Sequence, residues 1–260
     1  MRKYIMDHLT VVILAGGEGK RMRSNLPKVL HLINNKPMLV RVIETAKLLN
    51  PHKIIVVTGK HDALIQTTLA KYMRLGSITF SNQAQPLGTA DAIKSCLPDI
   101  VDDGQVLILN GDMPLITEQI LRKIVNKQVD ALVVTAKFDN PSGYGRVICD
   151  SRGIIQKIVE EKDCTDAERA INIINTGIYS IHSTILKEFI YKIDNDNAQQ
   201  EYYLTDIVKL LRTRFINVHT MLLDESENQF VAGVNTPEEL LAMRGGTPGL
   251  APHTLNGAKP

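Results

Sequence analysis

Residues 11–23 read VVILAGGEGKRMR. Val11 to Leu14 is a short apolar run of the kind that forms a buried strand. It passes straight into Gly16, Gly17 and Gly19, then into Lys20, Arg21 and Arg23, and Lys28 follows a proline in LPKVL. Glycine removes the Cβ that would keep a polyanion away from backbone N–H groups, and the basic side chains supply the opposite charge. The junction therefore predicts a strand that ends in a phosphate site. It matches neither GxGxxG nor GxxxxGK[ST], and no Ser or Thr follows Lys20, which weighs against hydride transfer and P-loop hydrolysis alike. A glycine-rich turn after a first strand is also ordinary sheet architecture, so the clustering of glycine with Lys and Arg carries the signal.

Outward from this loop, short apolar strands alternate with amphipathic stretches. Strands are predicted over 10–15, 53–58, 77–81, 105–110 and 129–136. Between the first two, Met38, Leu39, Val42, Ile43, Ala46 and Leu49 trace one helical face, which Pro37 can start. Further helices are expected over 61–72 and 89–96. Thr117 can cap another, with Ile116 and Leu121 as a hydrophobic staple. The alternation implies an α/β fold with a Rossmann-like, mostly parallel sheet flanked by helices. The second half is richer in strands. Segments 145–149 and 154–160 flank a Ser151-Arg152-Gly153 turn, and 171–181 reads as a long strand. Helices follow over 183–192 and 204–214, a late strand over 216–223, and a short helix over 237–243. The expected organisation is one domain over 1–245 with a smaller, strand-rich lobe around 140–203. The tail over 246–260 lacks periodicity and reads as loosely held. No internal repeat is visible.

The chain has 260 residues, 44% of them hydrophobic, enough for a large core. Its 30 basic and 28 acidic residues leave a formal charge of +2, with no dense basic stripe, so nucleic acid is not an expected partner. No apolar run reaches membrane-spanning length, and residues 1–8 lack a secretory apolar region. Cys96, Cys149 and Cys164 have no metal-binding spacing and read as reduced thiols, which fits a cytoplasmic protein.

Several polar residues sit where chemistry could occur. Asp112 ends the strand LNGD, and ligands of open α/β sheets bind beyond the carboxyl ends of strands. It could hold Mg²⁺ against phosphate, or simply cap a turn. Gln83, in QAQPLGT, carries an amide that can read a base edge, with Gly88 offering close backbone approach. The plainer reading is a polar loop capped by Thr89. Residues 140–146, NPSGYGR, place two flexible points around an aromatic ring. Glu160 and Asn175 add polar groups to apolar strands, and Thr205 or Asp206 in EYYLTD could cap a helix. Glu160, Glu161 and Asp163 lie too close in sequence for a glycosidase pair, whose carboxyls need a set separation across the substrate. No Ser–His–Asp, Cys–His or HExxH arrangement stands out.

Taken in order, LAGGEGKRM, LPKVL, QPLGTADA, NGDMPL, GYGR, IVEEKD, NTG, EYYLTD and GVNTPEEL resemble the sugar-1-phosphate nucleotidyltransferases. The resemblance is nearest to the uridyltransferase domain of bacterial bifunctional N-acetylglucosamine-1-phosphate uridyltransferases and runs from about Val11 to Leu241. It implies a nucleotide lobe and a sugar lobe on a mixed Rossmann-like sheet. It implies Mg²⁺-dependent transfer of UMP from UTP to N-acetylglucosamine 1-phosphate, with release of pyrophosphate. On this resemblance Leu14, Ala15 and Gly17 contact the uridine, while Arg21 and Lys28 bind phosphate. Gln83 and Gly88 read uracil beside Thr89, Asp112 and Asn235 hold the metal, and Gly145, Glu160, Asn175, Tyr202 and Thr205 face the sugar. Asn235 is singled out by the resemblance alone. The sequence departs from the family pattern at Asp91, where LGTADA replaces LGTGHA, at Gln85, which is often an acid, and at Asn110, where NGD replaces YGD. These changes leave the chemistry in place and loosen the sugar assignment, so another sugar or base is an alternative. A non-catalytic nucleotide-sugar sensor is an alternative of another class. The hexapeptide repeats of a left-handed β-helix acetyltransferase are absent, so acetyl transfer is not expected. The expected assembly is a monomer or small homo-oligomer acting on small molecules.

Overall fold

Val11 and Ile13 point to one side of the first strand and Val12 to the other, and all three are fully buried. This is why the strand reads as a continuous apolar run rather than an alternating one. The computed structural model describes residues 8–244. The tail 246–260 lies outside the described residues.

The elements follow in chain order. Strand β1 (Leu9–Leu14) leads through the glycine-rich loop to a two-residue hairpin, β2 (Leu32–Ile33) and β3 (Lys36–Pro37), and then helix α1 (Met38–Lys47). Next come β4 (Lys53–Thr58), α2 (Asp62–Leu69), β5 (Ile78–Asn82), α3 (Thr89–Cys96), β6 (Gln105–Asn110), α4 (Glu118–Val125) and β7 (Ala131–Lys137). The second half contains β8 (Arg146–Cys149), β9 (Ile155–Val159), α5 (Asp166–Arg169), β10 (Ile173–His182), α6 (Ser183–Phe189), α7 (Asp206–Thr213), β11 (His219–Leu222) and α8 (Pro237–Arg244). The main sheet runs in the order β11-β7-β10-β6-β1-β4-β5, and β8 and β9 extend it from the side of β10.

Strands β5, β4, β1 and β6 are parallel, with Val12 level with Ile55 on one side and Ile108 on the other. Strand β10 runs antiparallel to both β6 and β7. The sheet is therefore the mixed, mostly parallel Rossmann-like one that the alternation of elements implies. From β1 the chain builds outward through β4 and β5, then crosses back to β6 on the opposite side. That reversal opens a crevice beyond the carboxyl ends of β1 and β6.

One face of the sheet is covered by α1, α2 and α4, where Val42, Ile43, Ile65, Leu69, Ile120, Leu121 and Ile124 meet Val11, Ile13, Val56, Leu107 and Leu109. The other is covered by α3, α6 and α7, where Ile93, Leu186, Phe189, Ile207 and Leu211 meet Val12, Ile55, Val106 and Ile108. A third, small cluster joins Met22, Ile33, Met38, Val234 and Leu240. It ties the loop after β1 to the segment before α8, two regions more than two hundred residues apart in sequence.

Two details differ from the sequence reading. Pro37 does not lie inside α1: it ends β3 and stands as the residue before the helix, with extended ψ, while Met38 opens the first turn. Helix α5 was not foreseen, although Thr165 and Glu168 form a full capping box at its start. At four residues it is too short to show periodicity.

Ile43 is completely buried where α1 meets the sheet. Ile43→Ala should lower unfolding free energy by about 2–5 kcal/mol through lost burial and an unfilled cavity. Urea unfolding should show this as a lower midpoint at unchanged slope.

Candidate active site

Asn235 lies just before α8, and its position is set by a cap. The Glu239 carboxylate accepts the backbone N–H groups of Asn235 (2.5 Å) and Thr236 (3.2 Å), while the Thr236 hydroxyl accepts the N–H of Glu239 at 3.2 Å. So fixed, Asn235 Oδ1 accepts from Arg21 Nη2 at 3.0 Å and from Lys28 Nζ at 3.1 Å. Lys28 also forms an ion pair with Asp112 at the end of β6. Gly233 packs against the Asp112 carboxylate, and the backbone N–H of Val234 donates to the Asp112 carbonyl at 3.0 Å. Arg21, Lys28, Asp112 and Asn235, scattered along the sequence, thus form one connected group at the crevice.

Two hollows adjoin at this group. The larger, about 450 Å³, is lined by Leu14, Gly17, Arg21, Lys28, Gln83 and Gly88, with Thr89 at its edge. The smaller, about 200 Å³, is lined by Asp112, Gly145, Glu160, Asn175, Thr205 and the Tyr179 side of β10. Leu14, Arg21, Thr89 and Asn235 border both. Ala15 and Tyr202 line neither. Ala15 is buried, its N–H bonded to Val57 in β4.

Tyr202 acts through its backbone. Gly88 has φ +117°, and a Cβ there would lie 2.5 Å from the Tyr202 carbonyl oxygen and 2.7 Å from its nitrogen. Only glycine permits that approach. The Tyr202 N–H donates to Leu87 O at 2.7 Å, and Tyr202 O accepts from Ala90 N at 2.8 Å. The Leu204 N–H donates to the Thr89 hydroxyl at 2.9 Å. The Tyr202 ring itself turns to Lys94, whose ammonium sits 4.1 Å from its centroid. This stitching locks the Gln83–Thr89 loop to the segment that carries Thr205.

The smaller hollow is built around a bulge in β10. The register between β10 and β7 shifts between Asn175 and Tyr179. Gly177 adopts φ +78°, and a Cβ there would lie 2.3 Å from the Asn110 amide nitrogen. The Asn175 side-chain oxygen accepts the Gly177 N–H at 3.1 Å, and Thr176 donates its hydroxyl to Val134 O at 2.8 Å. Across the hollow, the Thr205 hydroxyl donates to Glu160 Oε1 at 3.1 Å. Burial pushes the Glu160 carboxyl above its ordinary range despite that hydrogen bond.

The sequence profile of the nucleotidyl transferase family matches residues 10–225 of this chain. The chain belongs to that family. It is 40% identical over 247 residues to the "Probable UDP-N-acetylglucosamine pyrophosphorylase" of Acanthamoeba polyphaga mimivirus, covering 92% of this chain and 97% of the relative. It is 43% identical over 234 residues to the bifunctional protein GlmU of Dechloromonas aromatica, covering 89% of this chain and 50% of that protein. The chain thus spans about half the length of the bifunctional relatives. Among solved structures, it resembles a Bacillus anthracis protein assigned as a glucose-1-phosphate thymidylyltransferase and crystallised with sucrose. The TM-score is 0.70 at 20% identity, over 91% of this chain and 94% of the other. That likeness shows the shared nucleotide-diphospho-sugar transferase fold.

Within this nucleotidyltransferase, the main residue that sequence reading passed over is Arg146. Its side chain is 2% exposed, paired with Glu161 at 2.8 Å and bonded to the Tyr144 carbonyl. Glu161 also accepts the Gly143 N–H at 3.0 Å, so the pair fixes the loop leading to Gly145. An arginine beside turn residues reads as surface, and only its tertiary surroundings distinguish it. Among the described residues, no group of three or more His, Cys, Asp and Glu side chains is placed to hold a metal ion, and no helix is long and apolar enough to cross a membrane.

Asp206, beside Thr205 at the start of α7, is a site of pH dependence. Burial first, then the charges of Asp194 and Asp163, push its carboxyl up to about 6, with Lys209 opposing. The fold therefore favours the protonated acid. Its contribution to stability is fully present below the ordinary carboxylate value and is lost as pH rises through about 6. Asp206→Asn should melt above the wild type at pH 7.5, with the difference disappearing at pH 3.5, in calorimetric scans across that range.

Proposed function

We propose that this nucleotidyltransferase moves UMP from UTP to N-acetylglucosamine 1-phosphate, giving UDP-N-acetylglucosamine and pyrophosphate. The observation that carries the reading is the pair of adjoining hollows with Arg21 and Asn235 on their common border. A reaction that joins two phosphorylated molecules needs two pockets meeting at a cationic point. The mimivirus relative, matched over nearly its whole length, supports the choice of sugar and base.

In this reading the triphosphate lies along the loop after β1, and the base reaches Gln83 and Gly88. The sugar lies in the smaller hollow, where Glu160, Asn175 and Thr205 offer hydrogen-bonding groups to its hydroxyls and acetamido group. An oxygen of the sugar 1-phosphate attacks the α-phosphorus. The new P–O bond forms as the bond from the α-phosphorus to the bridging oxygen breaks, and pyrophosphate leaves in line with both electrons of that bond. The nucleophile is already an anion, so no general base is required. Arg21 suits a forked contact with the leaving phosphates, and Lys28 places a point charge at the reacting ones. Holding two anions in line while offsetting their repulsion is the protein's main contribution.

Mg²⁺ fits the donor set. Asp112 and Asn235 present one carboxylate and one amide oxygen that already converge on a single cation, the Lys28 ammonium. Few protein ligands are needed for a metal completed by water and phosphate oxygens. When bound, Mg²⁺ would polarise phosphate oxygens as a Lewis acid. One domain over 1–245, a sugar-binding lobe around 140–203 and a cytoplasmic location as a monomer or small homo-oligomer complete the proposal.

Pyrophosphate release across a grid of nucleoside triphosphates and sugar 1-phosphates tests the reading. UTP with N-acetylglucosamine 1-phosphate should give the highest kcat/KM, and a glucose or mannose partner ranking above it would displace the sugar assignment. Asp112→Ala should lower turnover by at least about a hundredfold and flatten its dependence on Mg²⁺, with circular dichroism unchanged. Near-normal turnover with an unaltered metal response would remove Asp112 from the metal site.

A further inference from the structure

Gln83 is buried in the wall of the larger hollow. Its Nε2 donates to the Gly88 carbonyl at 3.0 Å and to Asp91 Oδ2 at 2.8 Å. Both partners accept and neither can donate, so only the NH₂ end of the amide can face them. The flip of this side chain is thereby decided by its chemical surroundings. With both amide hydrogens engaged, Oε1 is the one group that Gln83 has left to offer a ligand.

Asp91 lines neither hollow. It is half-buried in the first turn of α3, behind Gln83. The Gly88 carbonyl also accepts the Ala92 N–H at 3.1 Å. Asp91 thus supplies the stronger, charge-assisted half of the clamp.

Resting on the proposed role of Gln83 at the base, we infer that Asp91 is a positioning residue for base selection. By holding the Gln83 amide nitrogen inward, it presents an acceptor to the base. Where that acceptor meets ring position N3, uracil carries a hydrogen and can donate to it, whereas cytosine bears a lone pair there and is repelled. Without Asp91, one amide hydrogen is released, and the side chain can turn that hydrogen toward cytosine N3. Asp91 therefore favours UTP over CTP without touching either.

The test compares kcat/KM for UTP and CTP in the wild type, Asp91→Ala and Asp91→Asn, with calorimetric binding of each nucleotide alongside. Asp91→Ala should reduce the UTP/CTP ratio about tenfold, through a raised KM for UTP and a lowered one for CTP. KM for the sugar 1-phosphate should not move. Asp91→Asn keeps an acceptor oxygen at the same place and should retain most of the ratio. Asp91→Leu, which keeps the branched shape and the number of side-chain heavy atoms, serves if the alanine variant does not fold, and the same fall is expected. An unchanged ratio overturns the inference, including one in which both nucleotides weaken equally, since that is the result of mere loop damage. Failure of the underlying reading looks different: the wild type itself would then bind or use UTP no better than CTP.

Discussion

One amide oxygen organises the candidate crevice. Asn235 Oδ1 receives both Arg21 and Lys28, and Lys28 passes the connection to Asp112. A loop rich in glycine and positive charge has no reason of its own to hold a fixed shape, because its cations repel one another and its backbone is permissive. The oxygen of Asn235 gives the two cations a common partner. The apolar contacts of Met22 with Val234 and Leu240 bring that partner within reach. The shape of the proposed phosphate site thus depends on a contact between the beginning and the end of the fold, and the cap made by Glu239 sets where that contact falls.

This dependence explains what the sequence revealed and what it concealed. The strands and helices of the sheet were legible because each one's periodicity is local: the run before Ala15, the helical face from Met38 to Leu49 and the LNGD strand end each carry their own signal. The Gly-Lys-Arg loop and Asp112 stood out as candidate site residues for the same reason. Asn235 was not, since an asparagine before Thr-Pro-Glu-Glu reads only as a helix start, and its second role depends on a loop two hundred residues away. Family resemblance, rather than any property of the local residues, pointed to it. Arg146 was hidden in the opposite sense. It looks like an exposed charge, yet it is buried, with Glu161 and the Tyr144 carbonyl pairing its terminal nitrogens inside the protein.

The wall opposite the cations is coupled just as tightly. Gly88 is pressed against the Tyr202 backbone, and Thr89 holds the Leu204 N–H. The Gln83–Thr89 loop and the segment carrying Thr205 are therefore one connected unit rather than two independent surfaces. Tyr202 contributes through its peptide groups, a role that its aromatic side chain gave no means of reading. The same coupling means that a change in the Gln83–Thr89 loop is transmitted toward the Thr205–Glu160 pair through the Tyr202 backbone and the Thr89 hydroxyl.

Charge is distributed across the joined hollows with a definite direction. The border carries Arg21, with Lys28 beside it in the larger hollow, while the smaller hollow carries Glu160, a carboxyl whose ionised form is disfavoured by burial. In the proposed reading, a phosphorylated sugar in that hollow would meet its attraction at the border, where Arg21 stands. Its phosphate would then face the proposed triphosphate site, and its neutral hydroxyls would face Glu160, Asn175 and Thr205. In a site of low dielectric this gradient acts more strongly than it would in water. Burying Glu160 costs stability, and the Thr205 hydrogen bond offsets only part of that cost. In the proposed reading the return is orientation, since the buried Glu160–Thr205 pair offers hydrogen bonds to sugar hydroxyls and no cation to a phosphate.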